Sequence, residues 1–334
     1  MAESPRFLIV RLGSLGDIVH TLPASAALRD SFPYARLDWV VESRWTPILD
    51  GNPDLNHVIP LDRSSTAGVL HTVEGLRNAH YTCALEFQSL YKSALLARAA
   101  GPKEVLGFDW NYAREAPASL LYSRRIHPSG AHKVDHNLAL AEAAGAEAVA
   151  PRFNLPKSDE ADEWVSEQLR QHSLTDFYVI SPGGGWRSKC WPSERFGQLH
   201  RELAKRYGWR GVVSFGPGED TIANEVIEAA GDPAPISFAM DLPQLIALLR
   251  CAKCVIAADT GPLHLAAALG TPVVGLYGPT DPARNGPYGT RNVVVRNALL
   301  EETTYKRGAS HSPAMLRIEV ADVVTAVGQL VENS

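Results

Sequence analysis

Three short loops gather residue types that could do chemistry. The first runs Gly13, Ser14, Leu15, Gly16, Asp17. Its two glycines let the backbone come close to a ligand, and Asp17 could act there as a general base. Ser14 followed three residues later by Asp17 also has the form of a helix capping box with Asp in place of Glu, so a plain cap is the competing reading. The second loop spans Ser181 to Pro192 (SPGGGWRSKCWP). Its glycines, Gly183, Gly184 and Gly185, leave N–H groups free to face an anion. Lys189 could add a point charge there, although a single lysine is more often a solvated surface residue. The third loop, Asp259 to His264 (DTGPLH), leads from an apolar run into an apolar helix. Such a junction sets free N–H groups and a positive dipole end at one place, which favours a diphosphate. His264 could donate to a phosphate or a sugar, or pack in the core. Pro262 fits a first helical turn. Glu219, after Gly216 and Gly218, could accept from a ribose diol, or serve as an N-terminal helix charge beside Asp220.

Other patterns are weaker. The first loop lacks G-x-G-x-x-G, and no Walker G-x-x-x-x-G-K-[ST] occurs, which speaks against a dinucleotide site and a P-loop. Cys251 and Cys254 form a C-x-x-C, but no second ligand pair stands at zinc spacing, so they read as half-buried thiols. His132 and His136 lie four apart with no evident third ligand. No metal site is expected.

These loops need elements to hold them. Apolar runs predict strands at 7–11, 37–41, 83–87 and 105–108, then at 177–181, 211–215, 254–258 and 273–276. Helical stretches stand between them: from the first loop to about Asp30, then 92–100, 193–207, 220–230, 242–252, 263–269 and 319–331. The alternation restarts once, which predicts an α/β chain of two parallel-sheet halves with a cleft between them. Pro151 to Pro156 (PRFNLP) favours neither element and is the candidate linker. Ligands of open parallel sheets bind beyond the carboxyl ends of strands, which is where the three loops fall.

With 334 residues, about two domains are expected. A hydrophobic share of 45% is enough for a core in each and excludes a disordered or disulfide-stapled chain. The net charge of −5 argues against a general nucleic-acid binder. The stretch Lys92–Lys133 departs from this: Lys92, Arg98, Lys103, Arg114, Arg124, Arg125 and Lys133 face only Glu104, Asp109 and Glu115. That local basic patch suits an anionic partner or a membrane surface, or is ordinary surface charge. The apolar run Phe7–Val10 is too short for a signal segment, and no run approaches a membrane span, so a cytoplasmic placement is expected.

Taken together, the motifs resemble glycosyltransferase family nine, the ADP-heptose lipopolysaccharide heptosyltransferases. The resemblance rests on Leu12–Pro23 (LGSLGDIVHTLP), on Lys189 with Trp191 and Pro192, and on Asp259–Leu269 followed by Tyr277–Pro282 (YGPTDP), in family order. Within the family the chain looks most like heptosyltransferase I, through Leu37–Glu42, Lys92–Leu95, Asp109 with Trp110, and Ala113–Glu115. His136 departs from that pattern, which usually has arginine, and so does the run Gly183–Gly185.

The resemblance implies a GT-B fold of two Rossmann-like domains facing a cleft. Residues 1–155 would bind the acceptor and 156–312 the nucleotide sugar, with a C-terminal helix in 313–334 crossing back. It implies inverting, metal-independent transfer of a heptose from ADP-heptose to an anionic Kdo-lipid A acceptor, with no cofactor and peripheral contact with the inner face of the inner membrane. It places Asp17 as catalytic base and Lys189 on the donor diphosphate. Gly183, Gly184, Glu219, Met240, Asp259, Thr260, Gly261 and His264 would line the donor site. Ser14, Gly16, Lys92, Arg114 and Arg124 would meet the acceptor. A different donor sugar or acceptor, a nucleotide-sugar epimerase on the same fold, and a non-catalytic binder are the competing readings.

Overall fold

The computed structural model describes residues 4–332. The chain is α/β and divides into two compact units, with the division between Pro156 and Lys157. The first unit holds β1 (Arg6–Val10), β2 (Arg36–Glu42), β3 (His57–Leu61), β4 (Cys83–Glu86), β5 (Glu104–Phe108) and β6 (Arg124–Ile126). The second holds β7 (Phe177–Ser181), β8 (Arg210–Val213), β9 (Ile236–Ser237), β10 (Val255–Ala258), β11 (Val273–Leu276) and β12 (Asn292–Val295). The strand orders are β3-β2-β1-β4-β5-β6 and β12-β11-β10-β7-β8-β9. Every pairing is parallel.

This is one topology used twice. Each sheet grows outward from its first strand, then crosses over and grows the other way. The order reverses between β1 and β4 in the first sheet and between β7 and β10 in the second. Connections on the two sides of such a point leave over opposite faces, and a crevice opens at the carboxyl ends.

Central strands covered on both faces read as unbroken apolar runs. Phe7–Val10 and Phe177–Ile180 are fully buried. The helix Ser193–Tyr207 buries Phe196, Leu199 and Leu203 against the second sheet and ends at Gly208, whose φ of 68° satisfies a left-handed cap. The final helix, Val320–Glu332, adds Val323, Ala326, Val327 and Leu330 to the same core.

The eight strands expected from apolar runs are the eight interior strands. The four not expected, β3, β6, β9 and β12, are the four sheet edges. Edge strands are half covered, so they are short and carry polar residues or proline; β3 contains Pro60, and β6 is three residues with two arginines. The single helix expected up to Asp30 is instead two, Leu15–Val19 and Leu22–Ser31. Pro23, which has no N–H, fits the first turn of the second and could not sit inside a continuous one. The C-x-x-C is not a pair of equals: Cys251 ends a helix exposed, whereas Cys254 is buried and its thiol pushed up to about 12 by desolvation.

Candidate active site

The first reversal point carries the loop after β1. Ser14 caps the helix Leu15–Val19, and its backbone N–H and hydroxyl both donate to Asp17 Oδ2, at 3.3 and 3.0 Å. The other carboxylate oxygen is taken by Arg11, whose Nη2 lies 2.8 Å from Asp17 Oδ1. Arg11 is buried, and its Nη1 donates to the Phe87 carbonyl at 2.5 Å in the loop after β4. Burial pushes the Asp17 carboxyl up, but Arg11, His20, the Ser14 hydroxyl and Lys133 outweigh it and bring the pKa down to about 2. The capping geometry and a poised carboxylate therefore coexist in one residue. Gly16 is buried in the same short helix.

The neighbouring loop after β4 braces this one. Gln88 Oε1 accepts from Leu12 N at 3.1 Å and Gly13 N at 3.3 Å. Gln88 is held in turn by Glu86, a buried carboxylate that accepts from the N–H of Gln88 and of Ser89, each at 2.9 Å, and from the Tyr122 hydroxyl. Ser89 adopts a φ of 56°, an uncommon region that these bonds stabilise. Burial raises the Glu86 pKa against those hydrogen bonds.

Lys92 is exposed on the first turn of the helix Tyr91–Ala99 that follows. Arg114 is exposed in the loop after β5, which is stitched to the β4 loop by Glu115 N to Ser89 O and by Tyr91 N to Glu115 Oε2. Lys92 and Arg114 thus stand on adjoining strand connections at the carboxyl edge of this sheet. Arg124 does not join them. It begins β6 level with Leu106, and its guanidinium turns to Glu104, 3.7 Å away at the amino end of β5.

The second reversal point carries the loops after β7 and β10. Lys189 Nζ lies 2.5 Å from Asp259 Oδ2 and over the Trp186 ring at 4.1 Å from its centre. Asp259 Oδ1 meets His264 Nε2 at 3.1 Å and accepts from Asn285 Nδ2 at 2.8 Å. Burial opposes ionisation of Asp259, but the His264 hydrogen bond and the Lys189 charge hold its carboxyl well below the usual range. Thr260 caps the helix Gly261–Ala268, so this buried ion pair adjoins a helix N-terminus.

The glycine turn is packed from both sides. A Cβ on Gly183 would stand 2.3 Å from the Glu219 carboxylate oxygens, and one on Gly184 would stand 3.0 Å from Cys190 Sγ and 3.7 Å from Thr260 Cγ2. Glu219 also accepts from Gly216 N at 2.8 Å. The structure therefore brings Gly183, Gly184, Glu219, Lys189, Asp259, Thr260 and His264 together. Met240 is half-buried just before the helix Leu242–Cys251, in the loop after β9. His132 accepts from Val134 N as a helix cap, and His136 packs against Tyr112 and Phe108.

Arg11, Gln88 and Asn285 have no counterpart in the sequence reading. Gln88 and Asn285 are each one polar residue whose partner lies on another strand connection, and only the adjacency of β1 with β4, or of β10 with β11, makes it part of a site. Arg11 pairs with Asp17 in its own connection and also reaches the β4 loop.

Residues 69–314 match the model of glycosyltransferase family 9 (heptosyltransferase). The chain is 32% identical to lipopolysaccharide heptosyltransferase 1 of Pseudomonas aeruginosa over 92% of its own length and 88% of the relative's. Its fold matches a family 9 glycosyltransferase from Veillonella parvula with a TM-score of 0.84, at 20% identity over 99% and 98% of the two chains. It also matches Escherichia coli heptosyltransferase WaaC with ADP-2-deoxy-2-fluoro heptose, with a TM-score of 0.74 at 28% identity over 98% and 99%.

Proposed function

Because this chain belongs to glycosyltransferase family 9, the heptosyltransferases, we propose that it transfers a heptose from ADP-heptose to an anionic Kdo-lipid A type acceptor in lipopolysaccharide core synthesis, with inversion and without a metal. The observation that carries this reading is the Lys189–Asp259–His264 cluster beside a helix N-terminus at the reversal point of the second sheet. A cation, a hydrogen-bonding ring and aligned N–H groups in one buried place are what a nucleoside diphosphate needs. A solved relative that is 28% identical is described with an ADP-heptose analogue.

The mechanism follows from charge. The donor's anomeric carbon loses ADP through an oxocarbenium-like state. Negative charge grows on the leaving diphosphate, and Lys189 and the N-terminus of the helix Gly261–Ala268 oppose it. These supply part of the charge that a metal would otherwise bring. Asp17 takes the proton of the attacking hydroxyl, a step worth roughly 10²–10⁴-fold. A carboxylate with a pKa of about 2 is a weak base. It suits a reaction in which the carbon–oxygen bond breaks first and the proton moves late.

The first unit is proposed to hold the acceptor, with Lys92 and Arg114 meeting its anionic groups and Ser14 orienting its hydroxyl. Tyr91 and Leu95 are exposed on the same face of one helix, and Leu120 is exposed on the short helix packed against it. Apolar side chains beside cations suit peripheral contact with an anionic membrane surface. No helix of the described residues is long and apolar enough to cross a membrane.

The test is ADP release from ADP-heptose with and without Kdo-lipid A, with the lipid followed by mass spectrometry. Acceptor-dependent release and a heptosylated product are expected. Release without sugar transfer, or binding of another nucleotide sugar alone, would overturn the substrate assignment.

A further inference from the structure

The segment after β12 is fastened to the lysine turn. Gly308 N donates to Ser188 Oγ at 3.3 Å, and Ser188 N donates to Gly308 O at 3.3 Å. His311 Nδ1 lies 2.7 Å from the Cys190 carbonyl oxygen. The approach leaves no room for a side chain: a Cβ on Gly308 would stand 2.9 Å from Ser188 Cβ. At its other end, Thr304 N donates to Pro279 O at 2.7 Å, in the loop after β11. The segment thus runs along the carboxyl edge of the second sheet, from one loop of the candidate donor site to another.

This fastening sets Arg307 against Trp186, with the guanidinium carbon 5.7 Å from the ring centre. The same ring carries Lys189 Nζ. The two cations differ in one respect. Lys189 is committed to Asp259, whereas Arg307 is exposed and has no carboxylate partner among the described residues. Two positive charges drawn to one indole repel each other, and an anion placed against them removes that cost. The planar guanidinium matches a phosphoryl group with two parallel hydrogen bonds, which the ammonium of Lys189 cannot make.

We propose that Arg307 is a second phosphate-binding cation of the donor site, held at Trp186 by the Ser188–Gly308 fastening and directed at the diphosphate of the nucleotide sugar. This rests on the donor reading above and extends it. The Lys189–Asp259 pair is close to neutral overall, so a diphosphate carrying two charges needs a further cation. As the glycosidic bond breaks, the diphosphate gains charge, and a cation on it then acts more strongly than on the bound donor.

The experiment is calorimetric titration of the full chain with ADP, for wild type, Arg307→Ala and Arg307→Lys, with steady-state KM values for donor and acceptor. Wild type is expected to bind ADP, and Arg307→Ala to bind it about tenfold more weakly, the loss of one charge-assisted contact. Arg307→Lys should recover part of the loss, and the donor KM should rise while the acceptor KM stays level. ADP affinity within about twofold of wild type in Arg307→Ala, a difference of under half a kcal/mol, would overturn the inference. A rise confined to the acceptor KM would overturn it too. Absence of ADP binding by wild type itself would instead overturn the donor reading on which it rests.

Discussion

Lys189 and Asp259 form a buried ion pair at 2.5 Å, and they come from the loops of β7 and β10, the two strands between which the second sheet reverses its order. The first sheet has its counterpart at the equivalent place. There Arg11 pairs with Asp17 at 2.8 Å, and Arg11 also reaches across to the loop of β4. One topology, used twice, has put a charged pair at each crevice. The proposed polarity of use is opposite. In the second unit the cation is the proposed working group and the carboxylate holds it; in the first the carboxylate is the proposed working group and the cation holds it.

Lys189→Met should lower turnover roughly 10²–10³-fold, the usual loss when one preorganised group on a developing charge is removed. It should also destabilise the fold, by up to about 3 kcal/mol, because Asp259 is left buried with only His264 and Asn285. Adding Asp259→Asn removes the orphaned charge. The double variant should therefore regain stability in urea denaturation without regaining turnover. Recovery of both together would mean that Lys189 is only a structural partner of Asp259.

The Asp17 carboxyl lies at about 2 in the folded chain against 3.8 ordinarily. A depressed carboxylate contributes stability that is present above the ordinary value and lost as pH falls toward 2. The same sign governs activity. Asp17 stays ionised from about pH 4 upward, so it should impose no acid limb on kcat/KM in the neutral range. Arg11→Met removes the largest opposing charge and should raise any acid limb due to Asp17 by about a unit or more. Asp17→Asn should lower kcat by roughly 10²–10⁴-fold with ADP affinity unchanged. A pH profile that keeps its shape in Arg11→Met would dissociate the pair from the reaction.

How much of this is legible in the sequence follows from what a residue pattern encodes. Interior strands such as Phe177–Ser181 are apolar on both faces and stand out in one dimension. The edges β3, β6, β9 and β12 do not, because solvent on one side lets them carry Pro60, Arg124, Ser237 or Asn292. The same distinction divides the site. Asp17, Lys189 and Asp259 sit in loops directly after interior strands, so their place follows once those strands are read. Arg124 lies in the same basic stretch as Lys92 and Arg114, yet strand register sets its charge against Glu104. Gln88 is 76 residues from Leu12, and only the pairing of β1 with β4 shows what it holds.

The proposed acceptor surface is divided by that register. Lys92→Ala and Arg114→Ala should each raise the acceptor KM severalfold, since each removes one exposed cation with no carboxylate partner among the described residues. Arg124→Gln should leave it within about twofold, a surface change far from the carboxyl edge. The effects of Lys92 and Arg114 should shrink as salt is raised, because exposed charges are screened over about 8 Å at 0.15 M. Equal effects for all three variants would mean that the patch acts through net charge rather than through position.

Gln88 gives the sharpest test of how the loop of the proposed base is held. Its amide oxygen accepts the N–H groups of both Leu12 and Gly13, and no other acceptor for either is evident in the described residues. Gln88→Leu leaves two buried donors unmet, at about 1–3 kcal/mol in stability for each group left unsatisfied. It also frees the segment that carries Ser14 and Asp17, and displacement of a base by about 1 Å can cost roughly 10²-fold in rate. Gln88→Glu keeps an acceptor at the same place but sets a second carboxylate near Asp17. That variant should fold and bind ADP like wild type, with an acid limb moved upward because like charge disfavours ionisation of Asp17. If Gln88→Leu loses stability but keeps kcat, the loop is rigid by other means, and Gln88 is a packing residue with no part in placing the base.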